Sequence, residues 1–297
     1  MAIVEAAPPA PGEVDRAGRR RSLAGALWDN PSGRVGSVLV ALVIVAAVCG
    51  VLNITPYSPQ NQDPLAVLKP PSFAHPLGTD NFGRDMFSQV LQALYVSLRI
   101  SVVAVLIAGG AGTLAGTVAG YMGRWAGAAI MRLTDTLFAI PTILLALAIV
   151  TALGPGLLNS SLAIGIGYIP IFVRVVRGPV LSLRDAGYVQ AGRVLGFSPM
   201  RLLFRHVLPN VAGIVAVQTS LALAWSVLAE SSLSFLGLGP PPPTASLGEM
   251  VYNGSSLAAT AWWTLAAPSA AIIIAVIGFN FLGDGLRDAM DPRARTR

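Results

Sequence analysis

"YVQAGRVLGFSPMRLLFRHVLPN", residues Tyr188–Asn210, is basic, broken by glycine and proline, and set between long apolar runs. Its first part fits a short helix over roughly Ala186–Leu195. Gly196 suits the left-handed position just beyond a last helical turn. Ser198 is a good N-cap, and Pro199 is favoured at the first helical position. The second helix then carries Met200, Leu203, Phe204 and Val207 at i, i+3, i+4 and i+7, with Arg201 and Arg205 on its other side. Pro209 is expected to end that helix and lead into the next apolar run. The product is a helix–turn–helix bracket with one apolar face. An amphipathic loop lying on an anionic membrane surface shows the same pattern. The Gly-Phe-Ser-Pro turn favours a bracket that projects into a groove on another protein, because a surface-lying helix needs no rigid corner.

The flanking chain is 54% hydrophobic and 11% charged, where a soluble domain carries about 25% charged residues. With a mean hydropathy of +0.67, this is the composition of a membrane protein. The isoelectric point near 10.1 does not imply nucleic acid, since the basic residues form no soluble basic face. A lone cysteine, Cys49, excludes an intrachain disulfide and reads as a small packed or lipid-facing residue. The run Val35–Leu52 is long for a cleavable signal and resembles an anchor.

A helix needs about 20 mostly apolar residues to cross a bilayer. Six stretches qualify: Val35–Leu52, Ile100–Tyr121, Leu133–Leu153, Leu157–Val176 (interrupted by Pro170), Val211–Phe235 and Trp262–Leu282. Of the 20 lysines and arginines, only Lys69, Arg84 and Arg99 fall on one side of this arrangement. The arginine-rich side is therefore cytoplasmic, with both termini. Residues 1–34 are expected to form a cytoplasmic tail, largely disordered, and residues 35–297 a transmembrane domain. That domain has an outer loop over 53–96 and a cytoplasmic loop over 184–210. Trp262 and Trp263 fall at the outer interface, where indole rings are favoured. Gly112, Gly116 and Gly120 share one face of the second span, which lets another helix backbone come close.

Charge within a membrane is costly and marks function or pairing. Glu230, near the outer end of span five among Ser231 and Ser232, is a candidate lining of a translocation path; a hydrogen bond to another helix is the alternative. Gln218 adds polarity to the same span, and Asn280 is a candidate for pairing from span six. Asp135 and Asp284 suit packing or gating at the membrane boundary. "GPPPPTASLG" beyond Leu238 reads as a stiff connector or as a docking surface. Thr79–Asp85 is a second docking candidate, although Asp80 or Asn81 there also suits a helix cap. The single lysine, Lys69 in "VLKPPS", cannot belong to a phosphate-binding loop. His75 and His206 fall on opposite sides, so they form no metal site. No catalytic constellation or bound cofactor is expected in this chain.

The opening stretch resembles the "EAA" loop of bacterial ABC-importer permeases. "HPLGTDNFGRDMFSQ" (His75–Gln89), "SLSFLGLGPPPP" (Ser232–Pro243) and "NFLGDGLRDAMDPR" (Asn280–Arg293) are similar to segments of dipeptide/oligopeptide permeases of the C type. The resemblance implies an all-α polytopic protein of the type I ABC importer permease fold, in the bacterial cytoplasmic membrane. It implies a homologous second permease, ATP-binding subunits that hold ATP and Mg2+, and an extracytoplasmic substrate-binding protein. It makes Tyr188, Gln190, Ala191, Gly192, Gly196, Pro199, Met200, Phe204, Val207 and Pro209 the ATPase-coupling residues. Gln190, Ala191 and Gly192 stand where the family commonly has Glu-Ala-Ala, so a carboxylate is missing; Asp185 is its nearest replacement. The rival class is an autonomous channel or ion-coupled secondary transporter, which usually shows paired intramembrane charges or inverted repeats. Neither is evident.

Overall fold

The computed structural model describes residues 23–122 and 124–290, and these are helices and loops, with one isolated bridge between Thr79 and Asp85. In chain order the helices are α1 (Leu23–Asp29), α2 (Pro31–Val51), α3 (Met86–Tyr121), α4 (Arg124–Phe138), α5 (Thr142–Leu153), α6 (Leu157–Arg184), α7 (Gly187–Val194), α8 (Pro199–Leu202), α9 (Leu208–Phe235), α10 (Leu247–Ser255) and α11 (Trp263–Met290). Among the described residues, α2, α3, α6, the rod Pro199–Phe235 and α11 are each long and apolar enough to cross a membrane.

The expected third span, Leu133–Leu153, is not one helix. α4 and α5 meet at 85°. Pro141 has no N–H to give and disfavours helical backbone at Ile140 before it, so the chain turns there. The 12 residues of α5 reach about 18 Å, short of a hydrocarbon core of about 30 Å. At the corner, Arg174 of α6 donates to Asp135 Oδ1 at 2.7 Å, and its guanidinium lies 4.1 Å from the centre of the Phe138 ring. Asp135 thus pairs with α6 at this corner.

α3 and α6 form the central pair. The glycine face of α3 lies on α6, where a Cβ at Gly112 would stand 2.9 Å from Ile169 O and one at Gly116 2.7 Å from Val173 O. This contact explains a departure from expectation. α6 runs unbroken through both Pro170 and Pro179, although Pro170 was expected to interrupt it. In hydrocarbon a helix has no water to take up freed backbone groups, and α3 braces the turn that contains Pro170.

The loop expected over 53–96 ends at Asp85, so residues 86–96 and Arg99 lie within α3. Neither Asp80 nor Asn81 caps that helix. Asp85 does, accepting from Ser88 N at 2.8 Å and from the Ser88 hydroxyl at 2.7 Å. Asp80 closes the preceding turn, accepting from Phe82 N and Arg84 N at 2.9 Å, from Arg84 Nε at 2.7 Å and from Gln89 Nε2 at 3.0 Å. Trp263 is not an exposed interfacial ring: it is buried, and its Nε1 donates to Thr79 O at 3.0 Å. Of this pair, Trp262 is the exposed ring.

The tail expected over 1–34 is helical from Leu23. Asn30 caps α2 through Ser32 N at 3.0 Å, and its amide donates to Asp288 at 2.6 Å, tying α2 to the end of α11. Gly33 meets Gly285 backbone to backbone at the same crossing. Residues 1–22, where the disordered tail is expected, lie outside the described residues.

Gly116→Leu should force α3 off α6 at a cost of about 1–3 kcal/mol. Gly110 faces open space, so Gly110→Leu is its control. Thermal unfolding in detergent should show a fall of a few degrees for the first and none for the second.

Candidate functional site

The bracket forms largely as its residues dictate. α7 occupies Gly187–Val194, Gly196 has φ +76°, and the Ser198 hydroxyl accepts from Arg201 N at 3.3 Å. Pro209 does not end the second helix. Residues Leu203–Val207 form a π turn, in which Leu208 N bonds to Leu203 O. The additional residue in that turn moves the Arg205 carbonyl away from the Pro209 ring, which would otherwise clash with it. The helix therefore continues as one rod into α9.

Two residues assigned to the docking face are inside the chain. Val207 is 0% exposed and packs with Val189, Leu202, Leu203 and Val211 against Tyr121, Val176 and Val180. It fastens the bracket to the spans rather than offering itself outward. Gly192 is buried against the Leu202 and Phe197 side chains, so its smallness closes the bracket upon itself. Tyr188, Gln190, Ala191, Gly196, Pro199, Met200, Phe204 and Pro209 are exposed. The helical pattern missed Val194 and Leu195, which are 88% and 72% exposed. They form an apolar tip just before the turn; their place beside Gly196 was the available signal.

Gln190 donates from Nε2 to Asp185 O at 3.0 Å. Asp185 lies 3.1 Å from Arg184 Nε, and that hydrogen bond holds its carboxyl below the usual carboxylate range. The rings and cations of the bracket also pair locally: Arg201 lies 4.3 Å over Phe197, and Arg193 lies 5.3 Å over Tyr121.

The polar residues assigned to a path do not share one surface. Glu230 is 1% exposed and accepts from the Ser234 hydroxyl at 2.8 Å and the Ser231 hydroxyl at 3.5 Å, with Ser97 of α3 beside it. Ser231 is likewise buried. Asn280 donates to Val276 O of its own helix at 2.9 Å rather than across helices. Gln218 is half-buried some four turns below Ser232. Ser232 alone reaches a groove, of about 370 Å³, at the start of α5. Thr142, Tyr168, Ile171, Trp225 and Leu228 line it with Ser232. Nothing in the sequence marked Tyr168 or Trp225, because apolar pattern does not tell a groove wall from a packed face.

A larger cleft, of about 630 Å³, lies at the arginine-poor end. Pro240, Pro241 and Pro242 form one wall, and Phe235, Glu249, Tyr252 and Asn253 contribute to the others. Burial pushes the Glu249 carboxyl above the usual range, opposed by the positive charge of Arg84. Among the described residues, no group of three or more His, Cys, Asp and Glu side chains is placed to hold a metal.

Residues 112–296 match the family described as binding-protein-dependent transport system inner membrane component. The chain belongs to this family. It is 40% identical over 268 residues, 90% of each chain, to a probable D,D-dipeptide transport system permease protein of Escherichia coli. It is 38% identical over 271 residues to a dipeptide transport system permease protein of Alkalihalophilus pseudofirmus, covering 91% of this chain and 88% of that one. A glutathione transport system permease protein of Pectobacterium atrosepticum is 40% identical over 263 residues, 88% of this chain and 87% of its own. The all-α, multi-pass architecture is that of an inner-membrane transport component.

Replacing Glu230 separates two roles. Glu230→Leu leaves the Ser234 hydroxyl buried without its acceptor, at about 1–3 kcal/mol. Glu230→Gln keeps an acceptor there. Unfolding midpoints should therefore fall in the order wild type, Gln, Leu.

Proposed function

We propose that this chain is a permease subunit of an ATP-driven, binding-protein-dependent importer of peptides, and that its bracket docks a separate ATPase subunit. The observation that carries this reading is the exposed apolar tip, Val194 and Leu195, on a bracket whose inner face is locked onto the spans. Met200, Phe204 and Tyr188 extend the exposed apolar surface. Such a surface is rarely left on a monomer without a partner. Gln190, Ala191, Pro199 and Pro209 belong to its exposed surroundings, while Gly196 sets the angle between the two helices.

The chain has no phosphate-binding loop, so ATP and Mg2+ reside in the docked subunits. Their closure moves the bracket, and the bracket moves α6 and α9 as rigid bodies. ATP drives this only by favouring one state of the whole complex. The groove at Thr142, Tyr168, Trp225 and Ser232 faces a homologous second permease and forms half of the path. Glu230 and Ser231 support that wall from behind. Gln218 lies deeper along α9, and Asn280 stands on α11. A binding protein delivers cargo at the arginine-poor face, which is extracytoplasmic, and both termini are cytoplasmic. The names of the relatives, which include dipeptide and glutathione systems, support a peptide-class cargo.

In the reconstituted complex, Leu195→Asp should leave assembly of the two permeases intact but reduce co-purification of the ATPases at least tenfold. Gly196→Val places a β-branched residue at positive φ, costing about 1–2 kcal/mol. It should weaken stimulation of ATP hydrolysis by the loaded binding protein. If both variants match the parent, the bracket is not the coupling element. For orientation, cysteines at the exposed positions Ser72 and Ser182 are introduced in a Cys49→Ala background. Ser72→Cys should react with an impermeant maleimide in intact cells and Ser182→Cys should not; the reverse pattern inverts the topology.

A further inference from the structure

At the arginine-poor end every described carboxylate is occupied except one. Asp63 accepts from Leu65 N at 2.9 Å and caps the turn Pro64–Ala66. Asp80 is taken by Phe82, Arg84 and Gln89, and Asp85 by Ser88 and by His75 Nδ1 at 2.9 Å. Glu249 differs. Among the described residues no hydrogen-bond donor reaches its carboxylate. Its backbone is fixed, since Glu249 N donates to the Ser246 hydroxyl at 3.3 Å. Its helix is fixed too, because Gly248 sits directly on the Ser231 carbonyl of α9. The carboxylate is thus held half-buried in the wall of the 630 Å³ cleft.

Among its lining residues Glu249 is the one charged side chain; Ser234, Ser246, Tyr252 and Asn253 add neutral polar groups. Pro240, Pro241 and Pro242 carry no N–H, so these three residues give that wall no backbone donor. The opposite wall holds two aromatic rings, Phe235 and Tyr252, edge to face at 5.6 Å. A carboxylate, carbonyl oxygens and ring faces all attract a cation that donates hydrogen bonds. An anion would be repelled by Glu249, the one charged side chain of the lining; Arg84, whose charge reaches that carboxylate, is itself paired with Asp80 at 2.7 Å.

We infer that this cleft recognises an ammonium group, with Glu249 as its counter-ion and the Phe235 and Tyr252 rings as its cation-attracting wall. Two sources share that chemistry: the free amino terminus of a peptide cargo, and a lysine of the delivering protein. The inference rests on the proposed import of peptides only for the identity of the source. The ammonium chemistry follows from the cleft itself.

The test uses the full complex in detergent. Binding of dialanine and of N-acetyl-dialanine is measured by saturation-transfer NMR, for the parent and for Glu249→Gln. In parallel, the affinity of the binding protein is measured before and after acetylation of its lysines. A cargo site predicts that the parent binds dialanine, that Glu249→Gln weakens this about tenfold, and that N-acetyl-dialanine binds both weakly and equally. A lysine site predicts no difference between the dipeptides. Instead, a loss of about tenfold in binding-protein affinity is produced equally by Glu249→Gln and by lysine acetylation, and the two losses do not add. If neither affinity depends on Glu249, the inference is overturned. Should Glu249→Gln fail to assemble, Tyr252→Leu keeps the carboxylate and removes one ring; it should weaken the same binding about threefold, and unchanged binding again overturns the inference. ATP-driven uptake by the parent complex is recorded separately. Its absence would sink the import reading while leaving dialanine binding to be judged by itself.

Discussion

At Gly112, Gly116 and Gly120 α3 has no side chain to hold it off α6, and much of the molecule hangs on that contact. Lipid tails are as apolar as leucine, so helices in a bilayer gain little by hiding apolar surface from one another. What they gain is contact, and contact grows as backbones approach. Gly112, Gly116 and Gly120 bring α3 onto Ile169, Val173 and Val180 of α6. The inner end of this pair then supplies Tyr121, Val176 and Val180 as the seat of the bracket. The proposed docking surface is thereby packed onto the closely packed α3–α6 pair, and not onto a loop.

Three prolines show where sequence was sufficient and where it was not. By local rules Pro141, Pro170 and Pro209 should each break a helix. Only Pro141 does, at the 85° corner between α4 and α5. Pro170 is spanned because α3 braces its turn, and Pro209 because a π turn precedes it. The local rule states what the ring cannot do; the neighbours decide whether the chain finds another way. Ser198, Pro199 and Gly196 were legible because caps and a positive φ are settled within a few residues. The capping of α3 was placed a few residues early for a related reason: Asp80, Asn81 and Asp85 in "GTDNFGRD" can all cap, and only the fold selects Asp85.

The site was legible in its outline and not in its facing. Periodicity identifies an apolar stripe without naming the body that covers it. Val207 and Met200 belong to one stripe by spacing, yet Val207 is covered by the chain's own spans while Met200 is 61% exposed. The same limit applies to Glu230. Its cost in a membrane guaranteed a partner, but only the packing shows that the partners are serines of the same chain rather than a passing cargo. Val194 and Leu195 escaped notice because a turn, not a period, exposes them.

The π turn has a mechanical consequence. By absorbing Pro209 without a kink, it leaves Pro199–Phe235 as a single member of 37 residues, about 55 Å from tip to tip at 1.5 Å per residue. Pro199 stands at the corner of the bracket, and Phe235 forms part of the cleft that contains Glu249. For a rigid member of that length, a tilt of about 5° about its middle would carry each tip by roughly 2 Å, in opposite directions. A displacement of that size is enough to separate an aromatic ring from a group resting on it, and one continuous helix joins the Phe235 side of the cleft to the bracket.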